Sequence, residues 1–287
     1  MNLENDDLDI IISKITKSIM EINYLITKNT LDLSSVLKPN YNLQNKKILN
    51  QSNDILKKNL LQIKSIKTLL SNKDMIYDIN KDGKYLVSYD ALDDIFNLDY
   101  NMALGTIFCV FEYNNDMIMD GRNIVLSGYS IYSLSTQLVT CKYGRVDIFS
   151  LDTILDKWSI ICTNYKMRDK GLIYCISGSN KKYNKCITNL IDEGYKSRNI
   201  GSIVFDFHRT LIKGGLIINL IDNKDGGLEL VYRAYGLAYI IEKAEGMSLN
   251  ENFESILNIP FPKDINQTIS VFFGSEYEIF KLMYYKI

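Results

Sequence analysis

The sequence lacks the features that mark secreted, zinc-binding and membrane-spanning proteins. Its five cysteines are an odd number and include no Cys-x-x-Cys pair, so neither a disulfide framework nor a zinc finger is indicated. It also lacks the run of about 18 apolar residues that a transmembrane helix requires. The acidic N-terminal segment has none of the basic and then apolar character of a signal peptide. We therefore expect a cytoplasmic protein with reduced cysteines and no membrane partner.

An excess of charge of one sign is also missing. The 33 basic residues are balanced by 34 acidic ones, for a formal net charge of -1. Because nucleic-acid binding draws on an excess of basic charge, we expect no nucleic-acid partner. Hydrophobic residues make up 46% of the chain and charged residues 23%, a composition typical of globular proteins. No linker divides the 287 residues, so we expect a single unit over residues 1–287.

Residues 1–70 are predicted to form a helical N-terminal portion. Apolar residues recur at helical spacing across Asp6–Lys28. The same spacing returns across Leu43–Leu70. Two long amphipathic helices are therefore expected before the first strand.

Residues 75–200 are predicted to contribute a first sheet. The apolar spacing changes to two at Met75, and turn-forming residues at Asn80–Gly83 predict a hairpin between Met75–Ile79 and Lys84–Asp90. Further strand-like stretches follow at Met102–Phe111, Ile124–Tyr132, Gln137–Lys142, Val146–Ser150 and Trp158–Cys162.

Residues 201–287 are predicted to form a second, smaller sheet. Strands are expected at Leu216–Leu220, Leu228–Tyr232 and Ile269–Phe273. Helices are expected at Tyr183–Gly194, Gly201–Ile212, Tyr235–Glu245 and Glu276–Tyr285. Because helices and strands interleave without a regular βαβ repeat, we expect a layered α/β fold, a sandwich of two sheets with helices.

One acidic segment suggests chemistry. Four aspartates lie within Asp90–Asp99, directly after the predicted strand. Carboxylates at a strand end suit Mg²⁺, which takes oxygen ligands in an octahedral arrangement. A solvated acidic loop is the alternative, and the segment taken alone favours that alternative.

An ordered set of motifs resembles the fructose-1,6-bisphosphatase family, within the wider lithium-sensitive sugar and inositol phosphatase group. Asp90–Asp99 is similar to the family's segment Asp-Pro-Leu-Asp-Gly-Ser-Ser-Asn-x-Asp. Other motifs follow in the family's order from about Lys46 to the C-terminus, among them Gly83-Lys84-Tyr85, Gly105–Phe108, Gly121-Arg122-Asn123, His208–Leu211, Glu242-Lys243-Ala244 and Gly274-Ser275. The resemblance implies the family's fold and a phosphatase built on two or three Mg²⁺ ions.

The resemblance assigns metal ligands and shows that several are replaced. Asp90, Asp93 and the carbonyl of Leu92 match ligand positions. Positions where the family has acidic residues are substituted here by Leu49, at the water-activating acid, and by Asn72, Lys73 and Arg233 at metal ligands. We hypothesise that Lys73 and Arg233 form ion pairs with Asp90 or Asp93 in place of a metal. The alternative is a shifted alignment in which Asp74 or Asp78 serves as a ligand.

The binding positions of the family are altered as well. Asp94, with Ile95 and Phe96, replaces a small uncharged loop, which would disfavour phosphate by charge and by bulk. Arg198 remains as a sugar-phosphate candidate, at the position that reaches into a neighbouring subunit's site. The family's other sugar-phosphate anchors correspond to Asn180, Asn199, Asn219 and Gly227. Lys84 and Tyr85 match part of the family's AMP pocket, but Glu112 stands where its arginine is expected.

Two functions follow from these residues. The first is a pseudophosphatase that needs no cofactor and acts as a binding, regulatory or structural subunit. Its partners would be copies of itself or an active paralogue, with a sugar phosphate as candidate ligand. The alternative is a divergent, active Mg²⁺-dependent fructose-1,6-bisphosphatase of gluconeogenesis, in which a rearranged third acid joins Asp90 and Asp93. His208, the only histidine, is interpreted as a packing residue.

Overall fold

The computed structural model describes residues 6–30, 41–73, 75–102, 104–113, 119–178, 183–222 and 225–286. Two helices begin the chain, α1 (Asp7–Thr30) and α2 (Tyr41–Leu60). Ile11, Ile15 and Ile19 form a fully buried stripe on α1. Such a stripe lies on one face of the helix. Through this face, α1 packs together with α2 against the larger sheet. Within the described part of the chain, no helix is long and apolar enough to cross a membrane.

Eight strands form the larger sheet: β1 (Ile66–Ser71), β2 (Met75–Asp78), β3 (Tyr85–Asp93), β4 (Leu104–Glu112), β5 (Ile124–Tyr132), β6 (Gln137–Lys142), β7 (Arg145–Asp152) and β8 (Lys157–Cys162). Their order is β2-β1-β3-β4-β5-β6-β7-β8. β1 and β3 run parallel, and the other neighbouring pairs are antiparallel. β3 is buried along its whole length, so its side chains face packed elements on both sides.

The remaining strands are β9 (Ile173–Ser177), β10 (Lys196–Ser197), β11 (Leu216–Asn219), β12 (Ile221–Asp222), β13 (Asp225–Gly226), β14 (Leu228–Glu229), β15 (Met247–Leu249), β16 (Thr268–Ile269) and β17 (Val271–Gly274). Five of them form the smaller sheet, in the order β10-β9-β11-β17-β15. The other four make two short pairs, β12-β13 and β14-β16.

Four further helices complete the layers: α3 (Asn184–Asp192), α4 (Ile203–Lys213), α5 (Tyr235–Lys243) and α6 (Glu276–Lys286). α4 and α5 lie between the sheets, because Phe207 and Leu237 share one core with Ile107 of the larger sheet and Phe273 of the smaller one. α3 and α6 cover the other face of the smaller sheet. The layered α/β fold predicted from the sequence is therefore confirmed.

Two predictions for the larger sheet are wrong. The second helix ends at Leu60 rather than Leu70, because Ile66–Ser71 is a strand. The predicted hairpin does not form either, since β1 lies between β2 and β3 and pairs with both. A short apolar run such as Ile66–Leu70 fits helical and strand spacing alike, so its pairing with the buried β3 decides its structure.

The C-terminal half differs from the predictions in several places. The strand expected at Leu228–Tyr232 ends at Glu229, and a π-helical turn follows over Leu230–Ala234. The sequence predictions have no counterpart of strands β9, β10, β12, β13 and β15, each of which is five residues long or shorter. Such strands are too short for a reliable alternation of apolar and polar positions. Because β9 and β10 belong to the smaller sheet, that sheet begins before residue 201, where the sequence placed its start.

Candidate active site

The acidic segment begins inside β3, at an irregularity in its pairing with β4. Asp90 lies opposite Ile107 and Asp93 opposite Gly105, so β3 has one extra residue across this interval. In a regular strand, residues three apart point to opposite faces. The bulge removes that alternation and lets both carboxylates point to the same side. The Thr106 hydroxyl fixes the bulge by donating to the carbonyl of Ala91 at 2.8 Å.

Arg233 places its guanidinium among three carboxylates. Its Nε is 2.7 Å from Oδ2 of Asp90 and 3.3 Å from Oε2 of Glu229. Its Nη2 is 3.0 Å from Oδ1 of Asp93. The π-helical turn that carries Arg233 is tied to β3, because the Ser88 hydroxyl donates to the carbonyl of Val231 at 2.9 Å. The predicted ion pairs of Arg233 with Asp90 and Asp93 are therefore present.

Burial and neighbouring charges shift the pKa values of both Asp93 and Arg233. Burial raises the pKa of the Asp93 carboxyl well above its usual range, Arg233 lowers it, and Asp94 and Asp90 raise it. Burial works to lower the pKa of Arg233, but Asp93, Asp90 and Glu229 together raise it above its ordinary value. Both side-chain oxygens of Asp93 are buried without an aligned hydrogen-bond donor among the described residues. The contact of Asp93 with Arg233 is thus an ion pair without hydrogen-bond geometry.

Lys73 does not form the ion pair with Asp90 or Asp93 that was predicted from the sequence. Its side chain is exposed, and no described contact joins it to Asp90 or Asp93. β1 ends at Ser71, whose hydroxyl accepts the Lys73 N–H at 3.2 Å, and this turn directs the chain outward. Leu49, Asn72 and Lys73 nevertheless line one cavity of about 230 Å³ together with Asp90.

The alternative third acids do not reach the cluster. Asp78 is exposed at the end of β2, where Thr68 donates to its carboxylate at 3.1 Å. Asp74 lies outside the described residues. Sequence reasoning instead missed Glu229. Its position four residues before Arg233 gives no signal by itself, because Leu228–Tyr232 is predicted as a strand. Only the turn that follows Glu229 brings the two side chains together.

Asp94 lies on the side of the site that faces the start of α4. Its backbone is left-handed, with φ 53°, and its Oδ2 accepts the N–H of Ile203 at 3.0 Å, at the start of α4. A cavity of about 210 Å³ lies here between the two sheets. Its lining includes Asp94 and Arg233, whereas Phe96 is exposed and is not part of it. Charge at Asp94, rather than the bulk of Phe96, therefore opposes an anion in this cavity.

The sugar-phosphate positions come together only in part. Asn199, Asn219 and Gly227 line the same cavity as Arg233. Arg198 is exposed, and its guanidinium donates to the carbonyl of Ser197 at 2.8 Å, so it does not line the cavity. Asn180 lies outside the described residues.

The nucleotide-pocket positions lie in acidic surroundings at the start of β3. Tyr85 lies opposite Glu112 on β4. Burial raises the pKa of Tyr85 to about 12, with smaller contributions from Tyr143, Asp6, Glu112 and Asp7. Lys84 is exposed beside them. Carboxylates at this place would repel the phosphate of a nucleotide.

Asp94→Gly is expected to raise the affinity for inorganic phosphate by about tenfold or more. The change removes a negative charge from the cavity, frees the Ile203 N–H, and suits the left-handed backbone. Isothermal titration calorimetry measures the affinity. Asp156→Gly is the matched control, because Asp156 is also left-handed, at φ 47°, and exposed outside the cavity. Equal affinities of wild type and Asp94→Gly would contradict this role of Asp94.

The fold and the site together define a layered α/β protein with buried carboxylates beside a polar cavity between two sheets. Family models of the fructose-1,6-bisphosphatase N-terminal and C-terminal domains match residues 2–163 and 167–286. The chain belongs to the fructose-1,6-bisphosphatase family, which confirms the resemblance found in its sequence.

Known relatives agree with this assignment. A fructose-1,6-bisphosphatase class 1 of Sulfurihydrogenibium sp. is 41% identical over 214 residues, covering 70% of this chain and 66% of that protein. One from Campylobacter jejuni is 37% identical over 240 residues, covering 81% and 83%. The crystal structure of Leishmania major fructose-1,6-bisphosphatase in holo form matches with a TM-score of 0.90 at 26% identity, covering 100% of this chain and 95% of that one.

These relatives correct one expectation and leave another without support. The expectation that the chain needs no cofactor is wrong, because the proteins it resembles are fructose-1,6-bisphosphatases of class 1, a metal-dependent family. The pseudophosphatase interpretation finds no support among them. The family assignment places the chain with phosphoric monoester hydrolases.

The cluster around Arg233 does not match the ligand set of a divalent cation. Asp90 and Asp93 supply buried carboxylates, which are ligands that a divalent cation prefers. Yet Arg233 fills the space between the two side chains. Across the residues that the structure describes, no three acidic, histidine or cysteine side chains are grouped so as to hold a metal ion. With Arg233 in this position, the donor set does not fit the family's metals.

Proposed function

We propose that the chain is a Mg²⁺-dependent fructose-1,6-bisphosphatase, which removes one phosphate group from fructose 1,6-bisphosphate. The family models over both halves of the chain and the names of its relatives support this proposal. The observation that carries it is the convergence of Asp90, Asp93 and Glu229 around Arg233, which lines the cavity between the sheets. Glu229 is a third acid near Asp90 and Asp93, held there through its contact with Arg233.

The cavity provides groups that suit the sugar part of such a substrate. Asn199, Asn219 and Ser177 lie in its lining, and amide and hydroxyl groups bind sugar hydroxyls by hydrogen bonds. The backbone N–H of Ile203 is a further donor, at present taken by Asp94. A substrate group can accept this N–H only when the Asp94 carboxylate releases it.

Phosphate release from fructose 1,6-bisphosphate by the purified chain in Mg²⁺ tests the proposal. Wild type is expected to turn over, and Asp93→Asn is expected to lose activity by about 100-fold or more, because a buried charge at the reacting site is removed. Asp147→Asn is the matched control, since Asp147 is equally an ion-paired, buried aspartate but lies on β7. Absence of turnover, or equal rates for wild type and Asp93→Asn, would contradict the proposal.

A binding or regulatory subunit is the second candidate, favoured by the guanidinium that already neutralises Asp90 and Asp93. As partner we propose a second copy of the chain or an active paralogue, with Arg198 reaching the neighbour's cavity. The exposed Ile160 and Ile161 on the edge strand β8 favour such an association. A chain that releases no phosphate in the assay above, yet changes the kinetics of an active paralogue, would establish this candidate.

A cytoplasmic location stays a prediction.

A further inference from the structure

Residues 198–202 join β10 to α4 and form one wall of the cavity between the sheets. Asn199, Gly201 and Ser202 line the cavity from this wall. Because β10 ends at Ser197, the regular pairing of the smaller sheet does not continue along residues 198–202. Further hydrogen bonds must therefore fix the position of this wall.

Two side chains of α4 hold the backbone of this wall. The Asp206 carboxylate accepts the Ile200 N–H at 3.2 Å through Oδ1 and at 3.3 Å through Oδ2. Nη2 of Arg209 donates to the carbonyl of Arg198 at 2.6 Å and to Oδ1 of Asp206 at 2.5 Å. Residues three apart are neighbours on a helix, so Asp206 and Arg209 act as one clamp on the wall.

The clamp formed by Asp206 and Arg209 is a buried ion pair at the edge of the cavity. The Asp206 side chain is 4% exposed and lines the cavity, and that of Arg209 is 17% exposed. Burying two charges costs free energy that apolar side chains of similar volume would avoid. Apolar side chains, however, could not hold an N–H and a carbonyl of the wall. The geometry of the wall therefore accounts for a charged pair at this place.

We propose that Asp206 and Arg209 are positioning residues, which hold residues 198–202 where Asn199 can contact the sugar part of the substrate. The inference deepens the proposed function and rests on it for the identity of the ligand as a sugar phosphate. The carboxylate cluster around Arg233 is held by other residues. Loss of the clamp is therefore expected to weaken sugar binding more than it slows phosphate release.

Calorimetric titration with fructose 6-phosphate, the sugar product of the proposed reaction, measures binding without turnover. Asp206→Asn is expected to bind it about tenfold more weakly than wild type. The neutral amide offers one acceptor oxygen instead of two and leaves the cation of Arg209 without its partner charge. In the phosphate-release assay, KM is expected to rise by a similar factor, with kcat changed by about twofold or less.

Asp147→Asn is the matched control, because Asp147 is also a buried aspartate that pairs with an arginine and accepts a loop N–H, that of Asn164. It lies on β7, outside the cavity, and the variant is expected to bind as wild type does. Arg209→Lys serves if Asp206→Asn does not fold, since the lysine ammonium ends one bond short of Nη2. It is expected to bind fructose 6-phosphate about threefold more weakly than wild type.

Fructose 6-phosphate binding equal to wild type in the folded clamp variants, or an equal loss in Asp147→Asn, would overturn the inference. A wild type that does not bind fructose 6-phosphate would overturn it as well. If the clamp variants lose affinity while no chain releases phosphate, the inference stands and the proposed function fails. If wild type releases phosphate and the clamp variants keep its KM, the proposed function stands and the inference fails.

Discussion

Arg233→Met is expected to lower the free energy of unfolding by about 3–5 kcal/mol. The variant keeps an unbranched side chain as far as the ε position but leaves the buried Asp90 and Asp93 without their cation. Breaking a buried ion pair from one side costs this much because the remaining charge is neither solvated nor neutralised. Urea denaturation at neutral pH measures the change.

Arg122→Met is the control for this experiment, because Arg122 pairs with Glu242 but its side chain is 49% exposed. Exposed pairs contribute about 1 kcal/mol or less. The loss in Arg233→Met is expected to shrink under acid conditions. Without its cation, the buried Asp93 holds a proton in the folded state that the unfolded chain has released, so stability falls as the pH rises above about 4. Equal losses for the two variants would show that Arg233 does not neutralise the cluster.

His208 is expected to make the folded state lose up to about 3 kcal/mol of stability as the pH falls from 6.5 towards 4. Burial lowers the pKa of His208 to about 4, and its Nδ1 is 2.8 Å from the hydroxyl of Tyr129. Below pH 6.5 the histidine of the unfolded chain binds a proton, whereas the buried His208 of the folded chain stays neutral until the pH approaches its lowered pKa. The stability due to neutral His208 is therefore complete above pH 6.5 and lost as the pH approaches the lowered pKa.

His208 is the only histidine, so its imidazole proton resonances can be followed without overlap in NMR spectra. The imidazole is expected to stay neutral at pH 5.5. The difference in stability between wild type and His208→Phe should also fall with pH across this window, since the variant has no imidazole to titrate. Titration of His208 near pH 6.5 in the folded protein would contradict the prediction.

The fold was predictable where amphipathic patterns are long. The strands at Ile124–Tyr132 and Gln137–Lys142 have the predicted bounds, and the first helix differs by one or two residues at its ends. The failures involve short apolar runs such as Ile66–Ser71, whose structure depends on a partner strand that lies later in the chain. Such pairing is a property of the whole fold and leaves no local signal.

The site was predictable where charge alone decides the contact. Arg233 pairs with Asp90 and Asp93 because opposite charges that are buried together attract each other strongly. All three residues were identified from the sequence. Lys73 was misplaced because its position depends on the turn after β1. Glu229 was missed because only the π-helical turn brings it to the cluster. The bulge that aligns Asp90 with Asp93 likewise depends on pairing with β4.

The rate of phosphate release from fructose 1,6-bisphosphate, measured as Mg²⁺ is raised from zero, tests the central claim most directly. That claim is that the carboxylates around Arg233 serve a Mg²⁺-dependent phosphatase. The predicted result is a rate that rises with Mg²⁺ to saturation and disappears when a chelator is added. A rate that stays at zero at every Mg²⁺ concentration, or one that persists in the chelator, would contradict it.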